Sequence, residues 1–173
     1  INGISVRHSD VEIDNCDIGC FNVVGIGVSA YAIRVHIHHN HIHDCTQNGL
    51  GYGVSTSSSD VRIIANIFDN CRHHIASSGS PGSGYEAAWN LVLERAIGHH
   101  FDMHGGRDRG DGTDIAGDWM HIHHNTFRGT QRHVVIRGVP SQGARIHNNW
   151  FAAPPERAVI TGGNTQVGRN AYG

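Results

Sequence analysis

Apolar and polar residues alternate in short runs along this 173-residue chain, and the runs recur as one pattern: apolar, x, apolar, x, x, Asn, x, apolar. It reads Val35-His-Ile37-His-His-Asn40-His-Ile42, then Val61-Arg-Ile63-Ile-Ala-Asn66-Ile-Phe68, and again Met120-His-Ile122-His-His-Asn125-Thr-Phe127. Weaker copies centre on Asn90, Asn149 and Asn170, with Cys16 in the Asn slot of the first. The steps from Cys16 to Asn170 are 24, 26, 24, 35, 24 and 21 residues, which makes seven rungs and places an insertion in one of them.

Period-2 alternation argues against helices and predicts strands, with Gly, Ser and Asn supplying the turns. Each rung reads as a short strand, the Asn, and a second strand. A unit this short cannot bury its own apolar face, so the rungs must stack at about 4.8 Å per coil into a parallel β-solenoid. The aligned asparagines then form a hydrogen-bonded ladder. The expected class is all-β, a parallel β-helix of about seven coils over residues 1–173, with residues 105–118 as an inserted loop. The repeat resembles that of the right-handed, pectate-lyase-like and carbohydrate-binding β-helix proteins, and the resemblance spans the chain. No capping helix is visible at either end, so the sequence suggests a piece of a longer solenoid or one that associates end to end. Cys45 and Cys71 each follow a ladder Asn by five residues, with Cys20 close to that slot, which predicts a reduced cysteine stack rather than disulfides.

Composition narrows the chemistry. All thirteen basic residues are Arg, against fifteen Asp plus Glu, for a formal charge of −2. Without basic runs there is no electrostatic footprint for nucleic acid, and without Lys no Schiff base or lysine general base. No apolar run is long enough for a membrane-spanning helix, and the N-terminal residues lack the order of a signal peptide. Sixteen histidines make mild acid a significant variable.

Two strand faces carry charge. In the first strands Glu12, His36, Arg62, Glu86, His121 and Arg145 align in one column that alternates acid and base, a solvated charge ladder. His38, His123 and His147 lie in the next column, where same-face imidazoles could share an ion, although a plain surface ladder is the reading the sequence favours.

The second strands align as Gly25-Ile-Gly-Val-Ser29, Gly51-Tyr-Gly-Val-Ser55, His74-Ile-Ala-Ser-Ser78, His100-Phe-Asp-Met-His104, His133-Val-Val-Ile-Arg137 and Arg157-Ala-Val-Ile-Thr161. Alternation then points Ile26, Tyr52, Ile75, Phe101, Val134 and Ala158 inward, followed by Val28, Val54, Ser77, Met103, Ile136 and Ile160. His74, His100 and His133 are expected in one outward row, with Asp102 beside them and His104 next to Arg137. Gly, Ser and Thr in the flanking rungs leave a groove around this cluster. Phe101-Asp102-Met103-His104 is similar to the catalytic strand of mannuronan C-5 epimerases, Tyr-Gly-Phe-Asp-Pro-His, and Arg132-His133 and Arg72-His73 resemble that family's Arg-His-Gly-Phe segment. The resemblance implies catalytic roles for Asp102 and His104. It departs at His99 and His100, which replace Tyr-Gly, and at Met103, which replaces Pro.

Abstracting the C5 proton of a uronic acid needs a cation to neutralise the adjacent carboxylate, a base near neutrality and an acid. Arg137 or Arg132 suits the first role, His104 the base, and His133 the acid, with Asp102 orienting His100 or His104 and His74 bordering the site. The expected function is a secreted or cell-surface protein acting on an acidic polysaccharide as lyase or epimerase. A non-catalytic glycan-binding or filament-forming solenoid is the alternative. No cofactor is required for this chemistry. Asp108, Asp111, Asp114 and Asp118 in the insertion would be the ligands of a calcium loop, but their spacing fits an ordinary solvated loop better.

Overall fold

A computed structural model describes residues 1–173, and it is a parallel β-solenoid built from three seven-stranded sheets. Sheet one contains Asn2–Val6, Val24–Val28, Tyr52–Thr56, His73–Ser77, Phe101–Met103, Val134–Ile136 and Val159–Thr161. Sheet two contains Glu12–Asp14, Val35–His38, Asp60–Ile64, Gly84–Ala88, Trp119–His123, Gly143–His147 and Thr165–Gly168. Sheet three contains Asp17–Gly19, His41–His43, Ile67–Asp69, Leu91–Val92, Thr126–Phe127, Trp150–Phe151 and Ala171–Tyr172. Each coil thus has three strands rather than the two expected. The last apolar position of the repeat belongs to a separate, very short strand beyond a corner.

The corner between sheets two and three explains the Asn. In every coil the residue before the ladder position is left-handed: Asn15, His39, Ala65, Trp89, His124, Asn148 and Arg169 all have φ between 52° and 60°. That residue turns the chain sharply and points the next side chain inward. Asn66 shows what the buried amide then does. Its Nδ2 donates to the Ile64 and Ile37 carbonyls at 3.1 and 2.9 Å and to Asn90 Oδ1 at 3.1 Å. Its Oδ1 accepts the Asn40 backbone N–H and side-chain amide at 3.0 and 3.1 Å. The ladder continues through Asn125 and Asn149 to Asn170, and at the other end Asn40 accepts the Cys16 N–H. A left-handed residue with a Cβ is strained by about 1–2 kcal/mol. Ala65→Gly is therefore expected to raise stability by about 0.5–1 kcal/mol once the greater freedom of glycine in the unfolded chain is subtracted, measurable by urea denaturation.

The core is a continuous column of aliphatic and aromatic side chains, in which Phe68 and Phe127 from sheet three meet Phe101 from sheet one and Phe151 packs on Phe127. Cys45 and Cys71 are buried and free, as expected of a reduced stack, whereas Cys20 and Cys16 are exposed. The insertion contains one helical turn, Gly106–Arg109, and a second turn, Pro155–Ala158, precedes the last strand of sheet one.

The register of sheet one differs from the expected alignment in two coils. Val54, not Tyr52, pairs with Ile26 and Ile75, and Val159, not Ala158, pairs with Val134. Tyr52 instead pairs with Val24 and His73 and is half-buried, and Ile160 faces outward in the row of Asp102 and Val135. The first-strand charge column is as read: Glu12, His36, Arg62, Glu86, His121 and Arg145 are direct partners across six coils of sheet two.

Candidate functional site

Sheet one begins at a corner where strict alternation fails. The N–H groups of both His74 and Ile75 donate to the His100 carbonyl, as in a bulge, so two successive residues turn toward the interior. This overturns the outward row expected for His74, His100 and His133: all three are fully buried. His74 packs against Phe68, His100 against Phe127, and His133 stacks on Phe151 with ring centroids 5.2 Å apart. They continue a corner column whose earlier members are Gly25 and Gly53, positions where Cys45 and Cys71 sulfurs fill the space instead.

The buried histidines are neutral. Desolvation pushes His74 down to about 3 and His133 to about 4, and holds His100 well below its ordinary value, where the neighbouring imidazoles add to the effect. Hydrogen bonds fix the tautomers of His133 and His100. The Ala153 N–H donates to His133 Nε2, so the His133 proton sits on Nδ1 and points at His100 Nδ1, 3.5 Å away. Neither nitrogen of His74 has a hydrogen-bond partner. These residues are part of the core, and no substrate can reach them.

The next outward row holds the polar cluster that does form. Asp102 is fully buried although it points away from the core, because four side chains and the insertion cover it. Arg137 binds it through two bonds, Nε to Oδ1 at 2.9 Å and Nη2 to Oδ2 at 2.7 Å. His104 Nε2 lies 3.0 Å from Oδ2, His99 Nε2 3.3 Å from Oδ1, and His73 Nε2 3.7 Å from Oδ2. Burial works to raise the Asp102 pKa, but hydrogen bonds from His104 and His99 outweigh it and hold the group far below the usual carboxylate range. Against its own burial, Arg137 is held up by Asp102 and Asp108.

Of the residues expected in the site, Asp102, His104 and Arg137 come together. Arg132 is exposed and makes none of the Asp102 contacts, and His74, His100 and His133 lie behind the sheet. His73 and His99 are the additions. The signal for them was present in His73-His74 and His99-His100, since a corner that turns the second histidine inward leaves the first outside. Compared with models of known protein families, with curated proteins and with solved structures, the chain matches none. No helix is long and apolar enough to cross a membrane.

The protonation pattern of the cluster follows from its geometry. His73 Nδ1 donates to the His99 carbonyl at 2.6 Å, so its Nε2 is bare, and burial lowers its pKa to about 4. His99 Nε2 stands 3.2 Å from Arg137 Nη2 and 3.3 Å from Asp102 Oδ1, so with a proton it donates to Asp102 and without one it accepts from Arg137. His104 is different. Its Nε2 lies 3.0 Å from Asp102 Oδ2, its side chain is 30% exposed, and its Nδ1 makes no hydrogen bond. A histidine oriented by a buried carboxylate, with its free lone pair toward solvent, can take or give a proton.

The insertion closes one side of this arrangement. Asp108 binds Arg137 Nη1 at 3.2 Å and accepts the Gly105 N–H at 3.0 Å. Arg109 reaches back to the Ser78 and Ile115 carbonyls, tying the loop to the coil below. Gly79, at φ 65°, passes so close to the His104 carbonyl that a Cβ there would stand 1.7 Å from the oxygen. The four aspartates of the loop face different partners: Asp108 faces Arg137, Asp111 faces Thr113 and Arg109, Asp114 faces Arg107, and Asp118 faces Ser141 and the Gly82 N–H. On the other side, the outer face of sheet one opens into a shallow depression lined by Ser5, Arg7, Gly27, Ser29, Tyr52 and Ser55.

Proposed function

We propose that this chain acts on an acidic, uronate-containing polysaccharide by abstracting the C5 proton, as a lyase or epimerase, outside the cell or at its surface. The observation that carries the reading is His104, held by buried Asp102 at 3.0 Å with its second nitrogen free. His104 is the base. Asp102 orients it and stabilises the imidazolium formed on proton transfer. Arg137 is the cation nearest the base and neutralises the substrate carboxylate, which would take over the Nη1 edge now held by Asp108. The depression of small and hydroxyl side chains on the same sheet supports a path for an extended chain. The resemblance of Phe101-Asp102-Met103-His104 to the mannuronan epimerase strand supports the same pair of residues.

A second reading, a non-catalytic glycan-binding or structural solenoid, is favoured by the engagement of Arg137, whose Nε, Nη1 and Nη2 already donate to Asp102 and Asp108. Proton NMR in deuterated water with alginate, pectate, glucuronan and glycosaminoglycans separates the two. Olefinic H4 signals are expected from a lyase, and loss of the H5 signal with intact chains from an epimerase. His104→Gln should lower that rate by about 100-fold or more. Asp102→Asn should lower it too and displace the pH profile. Silence of the folded protein across the panel would favour the binding solenoid.

A further inference from the structure

The second sheet carries a duplicated constellation that the polysaccharide reading does not use. Glu12, His36 and His38 lie in one place, and Glu86, His121 and His123 in another. In each, the glutamate sits directly beneath the first histidine of a His-x-His-His run. The second histidine turns Nε2 to that glutamate, at 2.7 Å for His38 with Glu12 and 3.1 Å for His123 with Glu86. In both runs its Nδ1 meets the Nδ1 of the following histidine at 2.8 Å. The two imidazoles of the run have ring centroids 4.1 Å apart in both places. A solvated charge ladder demands opposite charges in a column and nothing more. It does not demand that the same carboxylate and ring atoms meet twice, three coils apart.

The two copies differ in the coil above the second histidine. Above His38 the column continues with Ile64, whereas above His123 it continues with His147. His147 brings its Nε2 to 2.8 Å from His121 Nε2, and its ring stacks parallel on His123. Two imidazole nitrogens facing at this distance require one lone pair and one proton, and a cation that replaces the proton engages both rings. We propose that Glu86, His121, His123 and His147 bind a divalent transition ion of the zinc type, and that Glu12, His36 and His38 form a weaker second site.

The ligand atoms in each Glu–His–His set lie within 4.8 Å of one another. Ligands about 2.0–2.1 Å from a zinc ion stand somewhat closer together than this, so small side-chain rotations complete the sphere. Arg62 pairs with the other Glu86 oxygen at 2.8 Å, leaving Oε1 for the ion. By contrast, Asp102 with His73 and His99 is already occupied by Arg137, whose charge opposes a cation. The remaining surface set, Asp17 with His41 and His43, has no third imidazole, because the columns above its histidines continue with Ile67 and Asp69.

Calorimetric titration of the intact chain with Zn²⁺ at about pH 7.5, in a non-coordinating buffer, tests the assignment. The tightest binding event should weaken by about tenfold or more in His121→Gln/His123→Gln and in Glu86→Gln. His147→Gln should bring it toward the affinity of the weaker site. His41→Gln should leave it unchanged. These side chains are on the surface, and circular dichroism of each variant confirms folding. Retention of the tightest event in both Glu86→Gln and His121→Gln/His123→Gln, or wild-type affinity weaker than about 1 mM, overturns the proposal.

Discussion

Stability is expected to collapse between about pH 6.5 and pH 4, well before most acidic side chains titrate. The cause is the set of histidines that the fold keeps neutral: His74 at about 3, His73 and His133 at about 4, and His100 well below its ordinary value. In each case the folded pKa lies below the unfolded one. Below about pH 6.5 the unfolded chain takes up protons that the native state refuses, so the stability contributed by these groups is complete above that pH and is lost as pH falls toward the folded values. Each such histidine contributes a slope of about 1.4 kcal/mol per pH unit. Several acting together cost an amount comparable with the whole stability of a domain by about pH 4.5. His43 works the other way, because Asp44 and Asp17 raise its pKa, but it sits at the surface and its effect is screened. Thermal or urea unfolding at pH 8, 6 and 5 measures the slope. Equal stability at all three would show that the buried imidazoles are not held neutral. His74→Leu sharpens the test: it removes two buried nitrogens without partners, and should flatten the slope by about one proton without lowering stability at pH 8.

Asn66→Ala should be the most damaging single substitution in the ladder. Removing the amide leaves the Asn40 N–H without its acceptor, and takes one bond each from the Asn40 side-chain amide and the Ile37 and Ile64 carbonyls, all at an almost fully buried position. An orphaned buried group costs about 1–3 kcal/mol, and further buried groups each lose one of their bonds, so the expected loss is on the order of 3 kcal/mol. Asn170 is only half-buried. It accepts from Asn149 and donates to the Ile146 carbonyl, and water can replace part of both, so Asn170→Ala should cost about 1 kcal/mol. Denaturant midpoints of the two variants measure the difference. Equal, small losses would mean that the stacked amides contribute little beyond filling the corner.

Neither prediction depends on the functional proposals, and each bears on them. A site that relies on His104 and Arg137 has to work above the pH at which the fold fails. A zinc-type ion bound at Glu86 should in turn oppose acid unfolding weakly, since the same protons compete for its imidazoles.

The seven-coil solenoid, the Asn spacing and the charge column of sheet two were legible in the chain because they depend on local period and on repetition. A strand interior obeys alternation residue by residue, and stacking identical rungs makes the register follow from the repeat itself. The cluster at Asp102 was legible only in part. Asp102, His104 and Arg137 share a strand centre or its C-terminal edge, where alternation holds, and they meet as read. His74, His100 and His133 stand at the corner that opens sheet one, where two N–H groups share one carbonyl and alternation breaks. Which of two adjacent histidines enters the core there is decided by space: sheet three presents Phe68, Phe127 and Phe151 at that corner, and a flat ring fits against them. The same cause exposed His73 and His99 to Asp102 and displaced Tyr52 and Ala158 from their expected columns. Period and composition therefore determined the architecture, because each rung repeats one local rule. The corners, whose backbone geometry depends on what the neighbouring sheet puts against them, were decided only by the tertiary structure, and they choose which histidines face solvent.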